Sequence, residues 1–398
     1  MIFLKKTKIP QILFSLLVLS SCGKDKTQKA DTTPAVEDTL PKMKPLGPEK
    51  KISQAYKNAV IGRINHFYNK NWPNNSMNGS FLVAKNGQII FERYNGFANK
   101  NEGTKITAET PVQIASVSKV LTATAVLKLV NAGKIDLDQK VNTILKTFPY
   151  EDCTIRMLLS HRTGMRNYAY FTDRDKEVWD RHNQLTNKDI LDILATKNIG
   201  LESRTGTRFS YCNTNYAMLA LIIEKITGLK YKEAMSEMIF KPLGMTHTYV
   251  FDDDKDRKKI VPSYKGSGVE IGFDYLDNVY GDKNVFSTVR DLLKFDRARN
   301  SPDFLKPALL KQVYTGYSNE RKGTKNYGLG IRMINWETGQ NYYFHNGWWH
   351  GNTSSYITLI KEDVTIIALS NKMTTKTYAV RKLAPVFGDY PFNFKDEE

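Results

Sequence analysis

Cysteine is scarce in this chain, with 3 residues among 398, and histidine is little commoner, with 6. So few soft ligands, with no H-E-x-x-H and no tight Cys/His spacing, argue against a zinc site, and no metal or other cofactor is expected. Neither a G-x-x-x-x-G-K-[ST] loop nor a G-x-G-x-x-G turn is present, which excludes the common phosphate cradles. No zinc finger and no RNP aromatic pair occurs, so nucleic acid is not an expected partner. No apolar run reaches the roughly 18 to 20 residues of a spanning helix, and no repeat of 20 to 50 residues is visible.

What is present is a globular composition, 41% hydrophobic and 25% charged, in a chain long enough to bury a sizeable core. Lys and Arg outnumber Asp and Glu by 58 to 41, a formal charge of +17. The basic residues are scattered and read as a solvated surface. Lys5, Lys6 and Lys8 open the segment MIFLKKTKIPQILFSLLVLSSCGKDK, whose basic start, apolar run from Ile12 to Leu19 and small residues form an export signal. Leu19-Ser20-Ser21-Cys22 resembles the bacterial lipobox, in which cleavage precedes an acylated cysteine. The expectation is a lipoprotein signal peptide over 1–21 and a chain lipid-anchored through Cys22 to the bacterial envelope. The outer membrane or periplasmic face is expected and the cell surface is the alternative, with Lys24-Asp25 as a candidate sorting mark. Residues 22–53, rich in Lys, Asp, Glu, Thr and Pro, are expected to be a flexible tether, because they bury too little surface to offset ordering entropy. A single folded domain then covers 54–398. Cys153 and Cys212 are expected as free, buried thiols.

A helix is expected from Gln54, followed by two β-rich runs around Asn86-Gly87, the pair that best accommodates positive φ in a tight hairpin. YGLGIRMIN, NYYFHNG, SSYITLI and VTIIALSN read as strands near the other end. Between them lie helical patterns, among them SVSKVLTATAVLKLVNAGK and NYAMLALIIEKITG, each stopped by glycine. This order predicts an α/β (α+β type) fold: an antiparallel sheet built from both ends of the chain and flanked by helices, with a mostly helical subdomain inserted over roughly 130–285.

The chemistry centres on IASVSK, residues 114–119. Ser116 and Lys119 stand at i and i+3, on one face of a helix start, while Ser118 falls on another. A serine hydroxyl needs a neighbouring base to become nucleophilic, and a desolvated lysine can serve. Backbone N–H groups at the same helix start can hold an oxyanion. Alone, S-x-x-K is weak: Ser21 to Lys24 also matches it, and an N-cap serine beside a solvated lysine is the bland alternative.

The set PVQIASVSK, LLSHRTGM, FSYCNTNY, KPLGMTHT, GDKNVFSTVRDLLKFD, YGLG and HNG is more specific. Over about 55–375 it resembles the serine β-lactamase and penicillin-binding-protein superfamily, in the branch of class C β-lactamases, D-alanyl-D-alanine carboxypeptidases, D-aminopeptidases and esterases. The resemblance implies Tyr211, of Tyr211-Cys212-Asn213, as a phenolate base or relay lowered by Lys119, with Asn213 on the substrate amide. Tyr317-Ser318-Asn319 is the more literal Y-x-N, but it lies in a polar loop shortly before His345, whereas Tyr211 precedes an apolar helix. The K-T-G of other members is absent, and His345-Asn346-Gly347 takes its place. Gly347 is expected to let substrate approach, and the Trp348 amide to join that of Ser116 as oxyanion donor. A neutral His345 should favour carboxylate-bearing substrates less than lysine does. Thr205 stands where relatives often have proline, and Trp348-Trp349 adds bulk beside the site.

The sequence thus predicts an exported serine hydrolase forming an acyl-enzyme on Ser116 with small-molecule or peptide substrates of ester or amide type. A true β-lactamase or D-alanyl-D-alanine carboxypeptidase is the alternative, and a non-catalytic envelope binding protein is the rival of another class. Metabolic palmitate labelling is expected to depend on Cys22 and to vanish in Cys22→Ser. A mature N-terminus elsewhere than Cys22 contradicts the anchor.

Overall fold

The protein is described by a computed structural model over residues 40–320 and 323–392. The signal segment 1–21, Cys22, Lys24 and Asp25 lie outside the described residues. Helix α1, Gln54–Asn71, begins where the sequence places it, with the Ser53 side chain accepting the Tyr56 amide as N-cap. Strands β1, Gly79–Lys85, and β2, Gln88–Asn95, follow as a hairpin. Its turn residues Asn86 and Gly87 have φ of 55° and 79°, the positive pair this tight turn requires.

The C-terminal half supplies β3, Lys325–Tyr327, β4, Arg332–Asn335, β5, Asn341–Trp349, β6, Asn352–Leu359, and β7, Val364–Ser370. With β1 and β2 these five make one seven-stranded antiparallel sheet in the order β3-β4-β5-β6-β7-β1-β2. β1 lies between β2 and β7, with Gly79 opposite Ser370 and Lys85 opposite Val364. The sheet of both chain ends is therefore as expected.

Alternation along the central strands explains the layers. Phe81 and Val83 of β1 and Ile366 of β7 join Val60, Ile64 and Tyr68 of α1 in one core. Leu82 and Ala84, with Ile367 and Leu369, face the opposite way into the core of the helical region. That region contains α2, Ser118–Asn131, α3, Asn213–Thr227, and α4, Val289–Arg299. α2 is buried on all sides from Ser118 to Leu129, which places it at the centre of its layer rather than at a surface. Short strand pairs interrupt the inserted region, at Tyr249–Val250, Ser263–Tyr264 and Glu270–Ile271. Helices Tyr168–Arg174 and Pro307–Val313 were not legible, being too short to show a period.

The tether expectation requires correction over 40–53. This stretch has no regular secondary structure, yet it is held against the domain. Met43 is 3% exposed within the core of the helical region, and its amide donates to Met238 O at 2.7 Å. Arg297 Nη2 donates to Gly47 O at 2.7 Å, Gln88 Nε2 donates to Lys50 O at 3.0 Å, and Lys50 pairs with Asp363 at 2.9 Å. A polar composition hid a strap fastened by one apolar anchor and by its own backbone carbonyls. Met43→Ala should therefore cost about 2 kcal/mol or more in urea unfolding, as for other buried large-to-small changes; a free tether predicts no change.

Candidate active site

The strand Val112–Gln113 pairs with Val285–Ser287 and delivers the chain to Ser116. Ala115 then adopts φ 47°, rare for a residue with a Cβ and worth about 1 to 3 kcal/mol of strain. A 3₁₀ turn over Ala115–Val117 leads into α2. Positions i and i+3 eclipse in such a turn, so Ser116 meets Lys119 as the spacing predicts. Lys119 Nζ lies 3.0 Å from Ser116 Oγ and donates to Asp282 O at 2.8 Å. Lys119 is wholly buried and Ser116 only partly. Ser118 is buried too, and its Oγ accepts the Val285 amide at 3.2 Å, so the two hydroxyls differ as expected.

Tyr211 is half-buried just before α3. Its ring centroid lies 5.1 Å from Lys119 Nζ, 6.3 Å from the His345 ring and 4.6 Å from the Arg332 guanidinium carbon. The structure thus brings Ser116, Lys119 and Tyr211 together. Tyr317 is engaged elsewhere: its hydroxyl accepts from Arg156 at 3.1 Å and donates to Gln312 O at 3.3 Å. Asn213, the first residue of α3, keeps a buried Oδ1 with no hydrogen-bond partner among the described residues. That leaves an acceptor for a donor on a bound molecule.

Gly347 lies on β5, where a Cβ would come within 2.3 Å of Ser354 Oγ, 2.5 Å of Ile114 O and 2.9 Å of Ser116 N. No side chain fits between this strand and the Ser116 backbone. Ser354 Oγ donates to Ile114 O at 2.6 Å and fixes the same segment. Trp348 is 56% exposed, while Trp349 Nε1 donates to Asp277 Oδ1 at 2.7 Å.

His345 calls for a correction. It is fully buried, Nδ1 is 2.8 Å from Asn346 O and Nε2 is 3.2 Å from Tyr327 Oη. A carbonyl only accepts, so Nδ1 carries the proton and Nε2 receives the Tyr327 hydroxyl. Neither nitrogen is left for substrate. His345 supports the site from behind rather than binding the substrate.

Several contributors escaped the sequence. His161, at φ 56°, lies under Tyr211 with ring centroids 4.4 Å apart. Its Nδ1 accepts the Cys212 amide at 3.2 Å and faces Asn215 Nδ2 at 3.1 Å, tying LLSHRTGM to the Tyr211 segment. Asp282, whose carbonyl holds Lys119, accepts the Tyr168 hydroxyl on its carboxylate at 2.8 Å. Lys283 Nζ donates to that hydroxyl at 2.7 Å and lies 4.7 Å from the Trp349 ring. Burial pulls the Lys283 ammonium below its ordinary range, against the pull of Asp282. Arg332 is a half-buried cation with no salt bridge among the described residues. The motif strings contained His161, Asp282 and Lys283, but their roles depend on partners distant in sequence.

The described residues that come nearest to a metal-ligand set are Asp274, Asp277 and His350, with ligand atoms within 4.8 Å of one another. Asp277 already accepts from Trp349, His350 and the Asp274 amide. Cys153 and Cys212 are unbonded and buried, and burial raises each thiol to about 11, so neither is a nucleophile at neutral pH.

Burial, with Arg332 and Lys119 nearby, holds His345 well below the ordinary imidazole range; burial, Lys119 and Arg332 do the same to His161. Both rings should therefore be neutral at neutral pH. Nitrogen-15 NMR should find the proton on Nδ1 of His345 and on Nε2 of His161. Their stabilising share is complete above about pH 6.5 and is lost as pH falls towards the depressed values, because the unfolded chain takes up protons that the buried rings refuse. Titration of either ring near pH 6.5 contradicts this geometry.

Similarity to known proteins extends over most of the chain. The Beta-lactamase family model matches residues 75–386. Penicillin-binding protein 4* of Bacillus subtilis is 30% identical over 318 residues, 76% of this chain and 69% of that protein. The teichoic acid D-alanine hydrolase of Staphylococcus aureus is 26% identical over 221 residues, 54% of this chain and 53% of that protein. Among solved structures, a penicillin binding protein from Bacillus halodurans superposes with TM-score 0.70 at 23% identity, covering 80% of this chain and 99% of that one. EstCE1, a hydrolase with promiscuous acyltransferase activity, superposes with TM-score 0.65 at 18% identity, covering 84% and 100%.

Proposed function

The chain belongs to the Beta-lactamase family, and from that premise we propose a serine hydrolase that forms a covalent acyl-enzyme on Ser116 and cleaves esters or amides. The observation that carries this reading is the 3.0 Å contact between Ser116 Oγ and a wholly buried Lys119, beside a second serine occupied elsewhere.

In its amine form, Lys119 takes the Ser116 proton while Asp282 O keeps the nitrogen in place. Oγ adds to the substrate carbonyl, and the carbonyl electron pair moves to oxygen, facing the amides of Ser116 and Trp348. Collapse of this intermediate breaks the bond to the leaving group, which receives the proton by way of Lys119 and Tyr211. Water then adds to the acyl carbon and releases the acid, restoring Ser116. Asn213 supplies an acceptor for a substrate N–H. A non-catalytic receptor gives no reason for the Ser116–Lys119 contact. Attachment to the envelope through Cys22 remains part of the proposal.

An ester or uncharged amide suits a site whose His345 offers no cation, and D-alanine hydrolysis is named for one relative. Arg332 favours a second reading. Its guanidinium, 4.6 Å from the Tyr211 ring and without a carboxylate partner among the described residues, is available to a substrate carboxylate. That suits a penicillin or a terminal D-alanine.

Mass spectrometry after fluorophosphonate treatment should place the adduct on Ser116. Ser116→Ala and Lys119→Ala should abolish it, Ser118→Ala should retain some, and Tyr211→Phe should slow turnover about 10²-fold. An adduct on Ser118 refutes the assignment. In a panel of nitrophenyl esters, D-aminoacyl amides, D-Ala-D-Ala peptides and nitrocefin, the first reading expects the esters and uncharged amides to be turned over best. Carboxylate substrates preferred, with kcat/KM lost in Arg332→Gln, select the second.

A further inference from the structure

A cavity of about 220 Å³, whose lining does not include Ser116, Lys119 or Tyr211, opens between the 251–273 segment and the turn joining β5 to β6. Its size falls below the roughly 300 Å³ at which drug-sized pockets begin, so it suits a single small ring or about seven waters. Its floor is built from the buried polar side chains Gln113, Asp277, Asn284 and Asn352, joined by the partly buried His350. Burying so many polar groups costs free energy unless each finds a partner.

The amides form a chain of fixed direction. Asn284 Nδ2 donates to Val279 O at 2.8 Å, and that carbonyl can only accept, so Asn284 Oδ1 must face the next residue. Gln113 Nε2 donates to it at 2.9 Å, and Asn352 Nδ2 donates in turn to Gln113 Oε1 at 3.3 Å. The chain ends at Asn352 Oδ1, a buried acceptor without a partner among the described residues. Beside it, His350 and Asp277 hold each other at 3.0 Å.

Part of the lining is aromatic. Phe251 stacks on Phe273 with centroids 5.6 Å apart, and Phe286 lies 6.2 Å from Phe251. The Arg257 guanidinium carbon lies 4.2 Å from the Phe273 ring and braces it. Phe273 is partly exposed at the cavity, a flat apolar surface with no role in the core.

Planar amides, a carboxylate and an imidazole together with aromatic rings in one lining suit a molecule with hydroxyls around its edge and an apolar face. We propose that this cavity binds one sugar-sized polyhydroxylated ring, with a hydroxyl donating to Asn352 Oδ1 and the ring face against Phe273. The site shares no lining residue with the Ser116–Lys119–Tyr211 group and does not rest on the proposed hydrolase activity. Its bland alternative is a cavity holding only water.

Saturation-transfer NMR on the full-length protein, with glucose, N-acetylglucosamine and glucuronate as probes, tests it. At least one probe should bind saturably below about 50 mM, the weak end of small-ligand affinity. Phe273→Ala and Asn352→Leu should each weaken that binding about 10-fold or more, the scale of one lost hydrogen bond or stacking contact. Phe273→Ala alters a partly exposed side chain, so it should keep the wild-type melting temperature even if Asn352→Leu unfolds. Absence of saturable binding by all three probes, or binding unchanged in Phe273→Ala, overturns the proposal.

Discussion

The approach of β5 to the backbone of Ile114 and Ser116 is the constraint on which the rest of the site depends. The place where a Cβ of Gly347 would stand is already filled by Ser354 Oγ, Ile114 O and Ser116 N. Because the strand lies this close, Ser354 can reach the Ile114 carbonyl, and Ala115 can be held at a φ that a free peptide avoids. The turn then enters α2 with Ser116 partly open and Lys119 sealed beneath it. Packing against the sheet thus maintains a strained local conformation, and the strain orients the serine.

Around this contact the protein buries many polar groups, and most of them have specified partners. Lys119 uses the Asp282 carbonyl, while the Asp282 carboxylate engages Tyr168, which also serves Lys283. Such a network loses more from one missing member than a surface ion pair does, since the group left behind has no water to turn to. The same economy is seen in the two buried imidazoles, which remain neutral and spend both hydrogen-bonding directions, or one direction and a ring face, on neighbouring elements.

Much of the fold was legible because the strands β1 and β7 are short apolar runs bounded by turn residues, and the apolar helices of the insertion end at glycines. The contact between Ser116 and Lys119 was legible from their spacing, while Tyr211 came from the family resemblance, with the apolar helix after it deciding against Tyr317. His345 was placed on the right strand, but its function depends on which atoms occupy its two nitrogens. One is Tyr327, on another strand, and no local pattern announces it. The strap over 40–53 was missed for a related reason: its composition resembles a linker, and its attachment uses backbone carbonyls and a single methionine. Nothing in the strand YGLGIRMIN marks Arg332, and only the packing of Tyr211 beside it gives it meaning.

The pairing of β1 with β7 has a kinetic consequence. Gly79 meets Ser370, so the central ladder of the sheet joins residues separated by most of the described chain. Loop closure over that distance must occur before the contacts repay it, which makes such topologies slow to form. As the chain is synthesised, β1 and β2 exist as a hairpin with one edge unpaired until β7 has been made. Throughout that interval, Phe81 and Leu82 lack the strand that should cover their flank. The order in which the ribosome delivers the chain therefore leaves a largely apolar strand waiting for a partner made near the end of synthesis.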